Sequence, residues 1–306
     1  MRTGHMRVYS LTVLSLFAVS FFVVGTVQAQ PSCSVTLALR IPSTVQIFSI
    51  QQERALGDIE ADLVENSYHA AKEKEFVAHL DAIAARVLSK FPSDHVPVHV
   101  ILLDTPEANS FSVGPERIYI TRKMVALLRN DDELAGLLGH ELGHVLAHQN
   151  SLIVSQLFHE ILGVNAVGNQ KDILEKLRRV LDGIDRDPKL LRKTAAIMEK
   201  QERFHQAEAD RVALQASAAA GFSPEAYLRL LQRSEATTRS SGIRPSIYSS
   251  ATTSKLSRLR EIQKTLRQLP QPCREVVPSD SAGFLAWQAG VITEPNLARR
   301  SSMSTP

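Results

Sequence analysis

The chain has 306 residues, of which 44% are hydrophobic and 22% charged, a composition that excludes a wholly disordered or collagen-like protein. Its 35 Lys and Arg residues nearly balance 32 Asp and Glu residues, giving a formal net charge of +3. So small an excess argues against a nucleic-acid-binding protein. Since the chain has only two cysteines, a disulfide-dense scaffold and a cysteine-rich zinc site are also excluded.

Residues 1–29 have the layout of an export signal. Two arginines precede a long apolar run that ends in the small residues Val27 and Ala29, the positions that an export peptidase reads. No charged residue lies between Arg7 and Arg40, so the segment is also long enough to stay as a membrane anchor. Removal is the favoured interpretation, and it predicts a protein of the bacterial periplasm or cell envelope, with membrane attachment as the alternative.

Export would place the two cysteines, Cys33 and Cys273, in an oxidising compartment where a pair can form. The sequence does not show whether they meet. Residues 30–58 are predicted to be an irregular N-terminal segment, because they are apolar without a regular period and contain prolines.

The next part of the chain predicts a helix, a strand and a hairpin. Apolar residues at steps of three and four predict a helix from about 59 to 90. The run 98–103 predicts a buried strand, and residues 111–121 predict a β-hairpin that turns at Gly114 and Pro115.

From Asp131 onward the pattern is mostly helical. Asn130 or Asp131 can cap a helix that is predicted to run to about Gln149, with acidic residues in its first turn. Further helices are predicted near 151–163, 170–182, 189–220, 224–235 and 254–268. Residues 271–306 are predicted to be a partly disordered tail, so the fold class is α+β, mostly helical, with one domain over 59–270.

The chemical signal is the sequence His140-Glu141-Leu142-Gly143-His144. On a helix, His140 and His144 are one turn apart on one face, so two neutral imidazoles can hold a single Zn²⁺ ion. Glu141 lies beside them and can take a proton from the attacking water. This spacing is typical of metalloproteases, and it predicts one zinc ion per chain.

His148 raises the alternative of a third histidine ligand. That class requires a glycine and a histidine at two further positions, which here hold Ala147 and Asn150. His148 is therefore predicted to be a histidine on the helix surface. The third zinc ligand is expected to be a carboxylate on a later helix.

The helical stretch 201–214, QERFHQAEADRVAL, lies about sixty residues after the first motif. Together with NDDELAGLLG before His140, it resembles family forty-eight of the zinc metallopeptidases, the HtpX-like, BepA-like and CAAX-prenyl-protease-like enzymes. Three further segments support the resemblance, and they are Asn109–Phe111, Arg117–Thr121 and Gly221–Ala226. The resemblance covers about 55–270. It implies a zincin-like (gluzincin) peptidase domain with a hairpin beside the active-site helix.

The resemblance fails at one expected zinc ligand. The family places a glutamate four residues before the aspartate of its Ala-Asp pair, and here that position is Gln206. Gln206 shares a helix face with Asp210, whereas Glu208 should face elsewhere. Three alternatives stay open, since Gln206 can ligate weakly, Glu208 or His205 can replace it, or the site can bind metal poorly. Asp210 resembles the family aspartate that supports the site or assists proton transfer.

The resemblance also implies how substrate binds. Asn109 and Phe111 match the residues before the active-site hairpin, and a substrate strand would pair with the hairpin edge. Many exported members carry a histidine that approaches the zinc near Ser249–Thr252, where this chain has Ala251. Gating through that histidine is therefore predicted to be absent.

Two functions fit these residues. The first is an exported zinc endopeptidase that cuts envelope polypeptides, for which the resemblance suggests misfolded or misassembled substrates. The second is a catalytically impaired relative that acts as a polypeptide-binding or chaperone-like module, an interpretation motivated by Gln206 and Ala251. Intact Glu141 favours the enzyme, because a binding module needs no general base there.

Overall fold

A computed structural model describes residues 33–293 except 42–43, 72, 92–96, 106 and 242–255. The predicted export segment, Ala251 and the last ten residues lie outside the described residues. The described chain is mostly helical with one small mixed sheet, which agrees with the predicted α+β class. None of its helices is both long and apolar enough to cross a membrane.

Eleven α-helices and four strands make up the described part of the chain. The helices are α1 (Ile50–Ser67), α2 (Lys74–Leu88), α3 (Arg122–Val125), α4 (Asp131–Leu146), α5 (Gln149–Leu157), α6 (Gln170–Arg186), α7 (Pro188–Ala219), α8 (Pro224–Ser241), α9 (Leu256–Gln268), α10 (Gln271–Arg274) and α11 (Ser281–Thr293). The strands are β1 (His69–Ala70), β2 (His99–Asp104), β3 (Ser110–Val113) and β4 (Arg117–Thr121). A π-helical turn, Phe158–Leu162, follows α5.

The sheet has the strand order β1-β2-β4-β3. β2 and β4 pair in parallel, whereas β3 and β4 form the predicted antiparallel hairpin. Gly114 adopts a φ of 58° at the hairpin turn, a conformation that glycine adopts without a Cβ penalty. Because β4 is paired on both sides, the free edge of the hairpin is β3.

The helix predicted over 59–90 is helical over most of its length but is not continuous, because β1 separates the end of α1 from α2. The irregular segment predicted over 30–58 is also too long, since α1 begins at Ile50. Ser49 accepts a hydrogen bond from the backbone N–H of Gln52, and the Gln52 side chain accepts one from the Ser49 backbone. This capping box starts the helix before the first residue of the apolar periodicity.

The predicted tail is wrong over its first part. Phe284 and Val291 of α11 are buried in the main core, and the Gln288 side-chain amide donates to the carbonyls of Val125 and Leu128 at 2.7 and 2.6 Å. The helix α11 therefore covers the end of α3 and belongs to the folded domain.

The helix α4 is buried along almost its whole length, and glycines set its distance from its neighbours. A Cβ added to Gly143 would lie 2.9 Å from Cα of Ala209 in α7, and one added to Gly136 would lie 2.6 Å from Cβ of Tyr227 in α8. Since such contacts are too short, α7 and α8 approach α4 at distances that only glycine permits.

The first turn of α4 is tied to other elements by its acidic side chains. Asn130 caps the helix by accepting from the Glu133 backbone N–H, one of the two caps that the sequence predicts. Asp132 is fully buried and accepts from the backbone N–H groups of Ser223 and Ser279. The buried Glu133 carboxylate forms an ion pair with the half-buried Arg233 of α8. These acids therefore fix the position of α4 in addition to favouring its N-terminus.

Residues 33–41 and 44–49 form an extended N-terminal strap. Its alternate residues Val35, Leu37 and Leu39 pack against the main core, and Cys33 forms a disulfide bond with Cys273 of α10, with 4.5 Å between their Cα atoms. The disulfide joins positions 240 residues apart, so it restricts the unfolded chain strongly. Cys33 and Cys273 therefore pair, which the sequence alone does not determine.

The glycine contact between α4 and α7 is tested by Gly143→Ala. The added methyl group must displace the Ala209 backbone, so we expect the free energy of unfolding to fall by roughly 1–3 kcal/mol. Chemical denaturation measures this change. Gly283→Ala in α11 is the matched control, because no atom lies within 4 Å of its added Cβ. An unaltered stability in Gly143→Ala would contradict the close contact.

Candidate active site

The two histidines of the HExxH sequence converge as the helix predicts. Nε2 of His140 and Nε2 of His144 lie 3.0 Å apart, which lets both nitrogens reach one ion at zinc–nitrogen distances of about 2.0–2.1 Å. His140 is fully buried. Burial and the nearby His140 hold the pKa of His144 well below its usual value, so its imidazole is in the neutral form that a metal requires.

The outer nitrogen of His140 faces a buried carboxylate. Its Nδ1 lies 3.0 Å from Oδ1 of Asp210 in α7. Arg258 of α9 donates to the same carboxylate through Nε and Nη2, both at 2.7 Å. The Tyr227 hydroxyl also donates to this carboxylate, at 2.9 Å. Although burial raises the pKa of Asp210, the Arg258 guanidinium holds it far below its usual range. Asp210 therefore stays ionised beside His140.

Gln149 contacts the outer nitrogen of His144, as Asp210 contacts that of His140. The sequence analysis does not predict this contact. The side-chain oxygen of Gln149 contacts Nδ1 of His144, and its amide donates to the His205 carbonyl at 3.4 Å. The predicted helix to Gln149 is too long, because α4 ends at Leu146 and His148 turns the chain with a φ of 53°. That left-handed residue lets Gln149 fold back onto His144, which it could not do from a continuous helix.

Glu141 is fully buried between α4 and the edge of the sheet. Ser110 of β3 donates its hydroxyl to Oε1 of Glu141 at 2.8 Å, whereas Oε2 has no hydrogen-bond partner among the described residues. Burial raises the pKa of Glu141, and its proximity to His140 and the Ser110 hydrogen bond oppose that shift. One carboxylate oxygen is therefore fixed and the other is available for proton exchange.

The three candidates for the third ligand have different surroundings. Gln206 is half-buried, and its side-chain oxygen has no partner among the described residues. Glu208 is buried but occupied, because its oxygens accept from the Arg40 backbone N–H at 2.7 Å and from Nε of Arg211 at 2.9 Å. His205 is buried with both ring nitrogens unpartnered in the described chain, and burial lowers its pKa to about 4.

These surroundings test whether a zinc ion fits. Two nitrogen donors converge, their outer nitrogens face Asp210 and Gln149, and the buried oxygens of Glu141 and Gln206 lack partners in the described chain. Within the described ranges, no three His, Cys, Asp or Glu side chains cluster closely enough to hold a metal ion. The two histidines therefore fit a metal ion, and within the described ranges no third His, Cys, Asp or Glu side chain joins them as a ligand.

Three other residues that the sequence analysis discusses, Asn109, Phe111 and His148, pack or form hydrogen bonds around the site. The backbone of Asn109 exchanges hydrogen bonds with Thr121, and Phe111 is buried, with its ring 5.2 Å from that of Tyr119. The Phe111 side chain therefore packs inside the domain instead of facing a substrate. His148 contacts the buried Glu53 carboxylate at 2.7 Å, and it is a residue between two helices rather than one on a helix surface.

Comparison with known proteins places this geometry in a family. The family model described as peptidase family M48 matches residues 70–298, about three quarters of the chain. The chain belongs to peptidase family M48. The resemblance inferred from the motifs is therefore confirmed, and a peptidase is the activity that membership supports.

Curated relatives in family M48 match only a part of their own length. The beta-barrel assembly-enhancing protease of Escherichia coli (strain K12) is 23% identical over 187 residues, which are 60% of this chain and 38% of the relative. The protein of the same name from Yersinia pestis is 22% identical over 185 residues, with the same coverage. The chain thus spans well under half of these relatives.

The contact between Gln149 and His144 predicts an effect on metal affinity. Gln149→Leu keeps the volume but removes the acceptor that orients the His144 ring, so we expect zinc to bind about 10- to 100-fold more weakly. Competition with a chromogenic chelator measures the dissociation constant. Gln149→Glu keeps an acceptor at the same place and should retain the affinity. Equal affinity in all three proteins would contradict a positioning role.

Proposed function

We propose that this M48 protein is a zinc-dependent endopeptidase with a zincin-like (gluzincin) domain. The observation that carries the proposal is the convergence of the two histidine Nε2 atoms at 3.0 Å beside the buried Glu141. His140 and His144 would hold one zinc ion per chain, and Asp210 and Gln149 would orient their rings.

Bound zinc supplies Lewis-acid polarisation of the scissile carbonyl and makes water more acidic. Glu141 takes the proton of the attacking water at Oε2 and delivers it to the leaving amine. Ser110 holds Oε1, so the carboxylate keeps its orientation during both transfers. Burial excludes bulk water from Glu141 and raises its pKa, which favours uptake of the proton from the attacking water.

We assign the third ligand position to the side-chain oxygen of Gln206. Gln206 lies one helical turn before Asp210, which contacts His140, and its oxygen lacks a partner in the described chain. Glu208 is engaged by Arg211 and the strap, so it would have to break buried hydrogen bonds to reach the ion. A neutral amide compensates less charge than a carboxylate, and weaker zinc binding than in a His₂Glu site follows.

The substrate would be an extended polypeptide that pairs with the β3 edge of the hairpin. Ser110 of that strand bonds to Glu141, so a paired substrate strand lies next to the general base. Export to the bacterial envelope is part of the proposal. The disulfide between Cys33 and Cys273 supports an oxidising compartment, and the N-terminal apolar run provides either a cleaved signal or a membrane attachment.

The enzyme proposal predicts that purified residues 30–306 bind about one zinc ion per chain and cleave an unfolded polypeptide. Glu141→Gln should keep the metal and reduce cleavage by at least about a hundredfold, because the general base is lost. Metal analysis and mass spectrometry of the products measure the two properties. A protein that binds an unfolded polypeptide but never cleaves it would instead support the binding-module alternative.

Gln206→Glu tests the third ligand. A carboxylate at this position should tighten zinc binding by about tenfold or more, since it adds a charged oxygen donor. Glu208→Gln is the matched control, and it should leave the zinc affinity unchanged because Glu208 bonds to Arg211 and the strap. The assignment fails if Glu208→Gln weakens zinc binding and Gln206→Glu does not alter it.

A further inference from the structure

A cavity of about 500 Å³ lies between α7, α9 and the N-terminal strap. Its size is within the range of about 300–1,000 Å³ that is typical of ligand sites. Its wall includes Arg40 of the strap, Phe204 and Ala207 of α7, and Ser257 and Thr265 of α9. None of these five residues belongs to the HExxH sequence.

The cavity borders residues that support the candidate active site. Gln206, Asp210 and Arg258 line it as well, and Asp210 is the carboxylate that contacts His140. An occupant of the cavity therefore lies against the same turn of α7 that supports the histidine pair. This position is suited to a side chain of the substrate next to the bond that is cut.

The charges of the wall do not favour a charged occupant. The wall contains four basic residues, Arg40, Arg203, Arg211 and Arg258. It contains as many acidic residues, Glu199, Glu208, Asp210 and Glu261. Three of the arginines already pair with wall acids, since Arg211 bonds to Glu208, Arg258 to Asp210 and Arg203 to Glu199. The charges thus nearly cancel within the wall.

The apolar part of the wall favours a bulky apolar side chain. Phe204 is an aromatic residue with 40% of its surface exposed, and Ala207 and Ile262 also line the cavity. An exposed aromatic side chain in a concave site gains by burial against an apolar ligand group. Ala207 is small, and it leaves the space that such a group requires.

We propose that this cavity is the subsite that accepts a bulky apolar side chain, such as Phe or Leu, of the polypeptide substrate. The inference rests on the proposed peptidase function and adds its substrate preference. It makes Phe204 and Ala207 specificity-determining residues, neither of which ligates metal or transfers a proton.

The test compares two labelled ten-residue peptides of Ala, Gly and Ser that differ in one central residue, Phe or Ala. Binding is measured by fluorescence anisotropy to zinc-loaded Glu141→Gln protein, so that cleavage does not disturb the equilibrium. We expect the Phe peptide to bind roughly tenfold more tightly, the effect of burying one aromatic side chain.

Two variants in the same background assign the preference to the cavity. Ala207→Trp fills the space and should remove most of the difference between the peptides, and Phe204→Ser, which alters an exposed side chain, should reduce it severalfold. The matched control is Ala196→Trp, an exposed position of α7 outside the cavity wall. It should keep the full preference. Circular dichroism and zinc content verify that each variant is folded. If Ala207→Trp does not fold, the result for Phe204→Ser decides whether the preference depends on the cavity.

The outcomes separate the subsite from the peptidase activity. Equal binding of both peptides, including no binding of either, overturns the subsite, and so does a preference that survives Ala207→Trp and Phe204→Ser. Cleavage of the same peptides by protein with Glu141 intact is measured in parallel. A cavity-dependent preference without cleavage keeps the subsite and overturns the peptidase proposal, whereas cleavage without a preference does the reverse.

Discussion

The close crossing of α4 and α7 is the constraint on which the rest of the site depends. Gly143 meets the Ala209 backbone, and Gly139 lies against Ala213, where an added Cβ would be 3.2 Å from Cα. Two helices in such contact cannot slide or rotate independently. The positions of His140 and Asp210 relative to each other therefore follow from backbone contact, and the side chains need little further adjustment.

Beside that crossing, a series of paired buried polar and charged side chains leads to His140. Arg258 and Tyr227 hold Asp210, and Asp210 faces His140. Burying these groups is favourable only while each has its partner, because an isolated buried charge costs several kcal/mol. Within the described part of the site, one oxygen of Glu141, the side-chain oxygen of Gln206 and both ring nitrogens of His205 lack partners. Unsatisfied buried polar atoms mark a place where the protein alone does not complete its hydrogen bonding.

The sequence predicted the parts of the fold whose signals are local. The hairpin follows from Gly114 and the flanking alternation, and α4 follows from its cap at Asn130 and its apolar residues. The histidine pair follows from helix geometry alone. Gln149 and Arg258 could not be predicted, because the first depends on a left-handed residue at His148 and the second on the packing of α9 against α7. Ser49 began a helix that periodicity alone placed too late.

The N-terminal strap forms one wall of the cavity. The strap is synthesised before the rest of the domain, but its disulfide partner lies near the end of the domain. Cys33 leaves the ribosome 240 residues before Cys273, so no order of synthesis lets the disulfide close until α10 exists. The backbone N–H of Arg40 can donate to the Glu208 carboxylate only after α7 has formed. This wall of the cavity is thus completed only once α10 exists, and a truncated chain that keeps the HExxH helix but ends before Cys273 would lack the disulfide that fastens it.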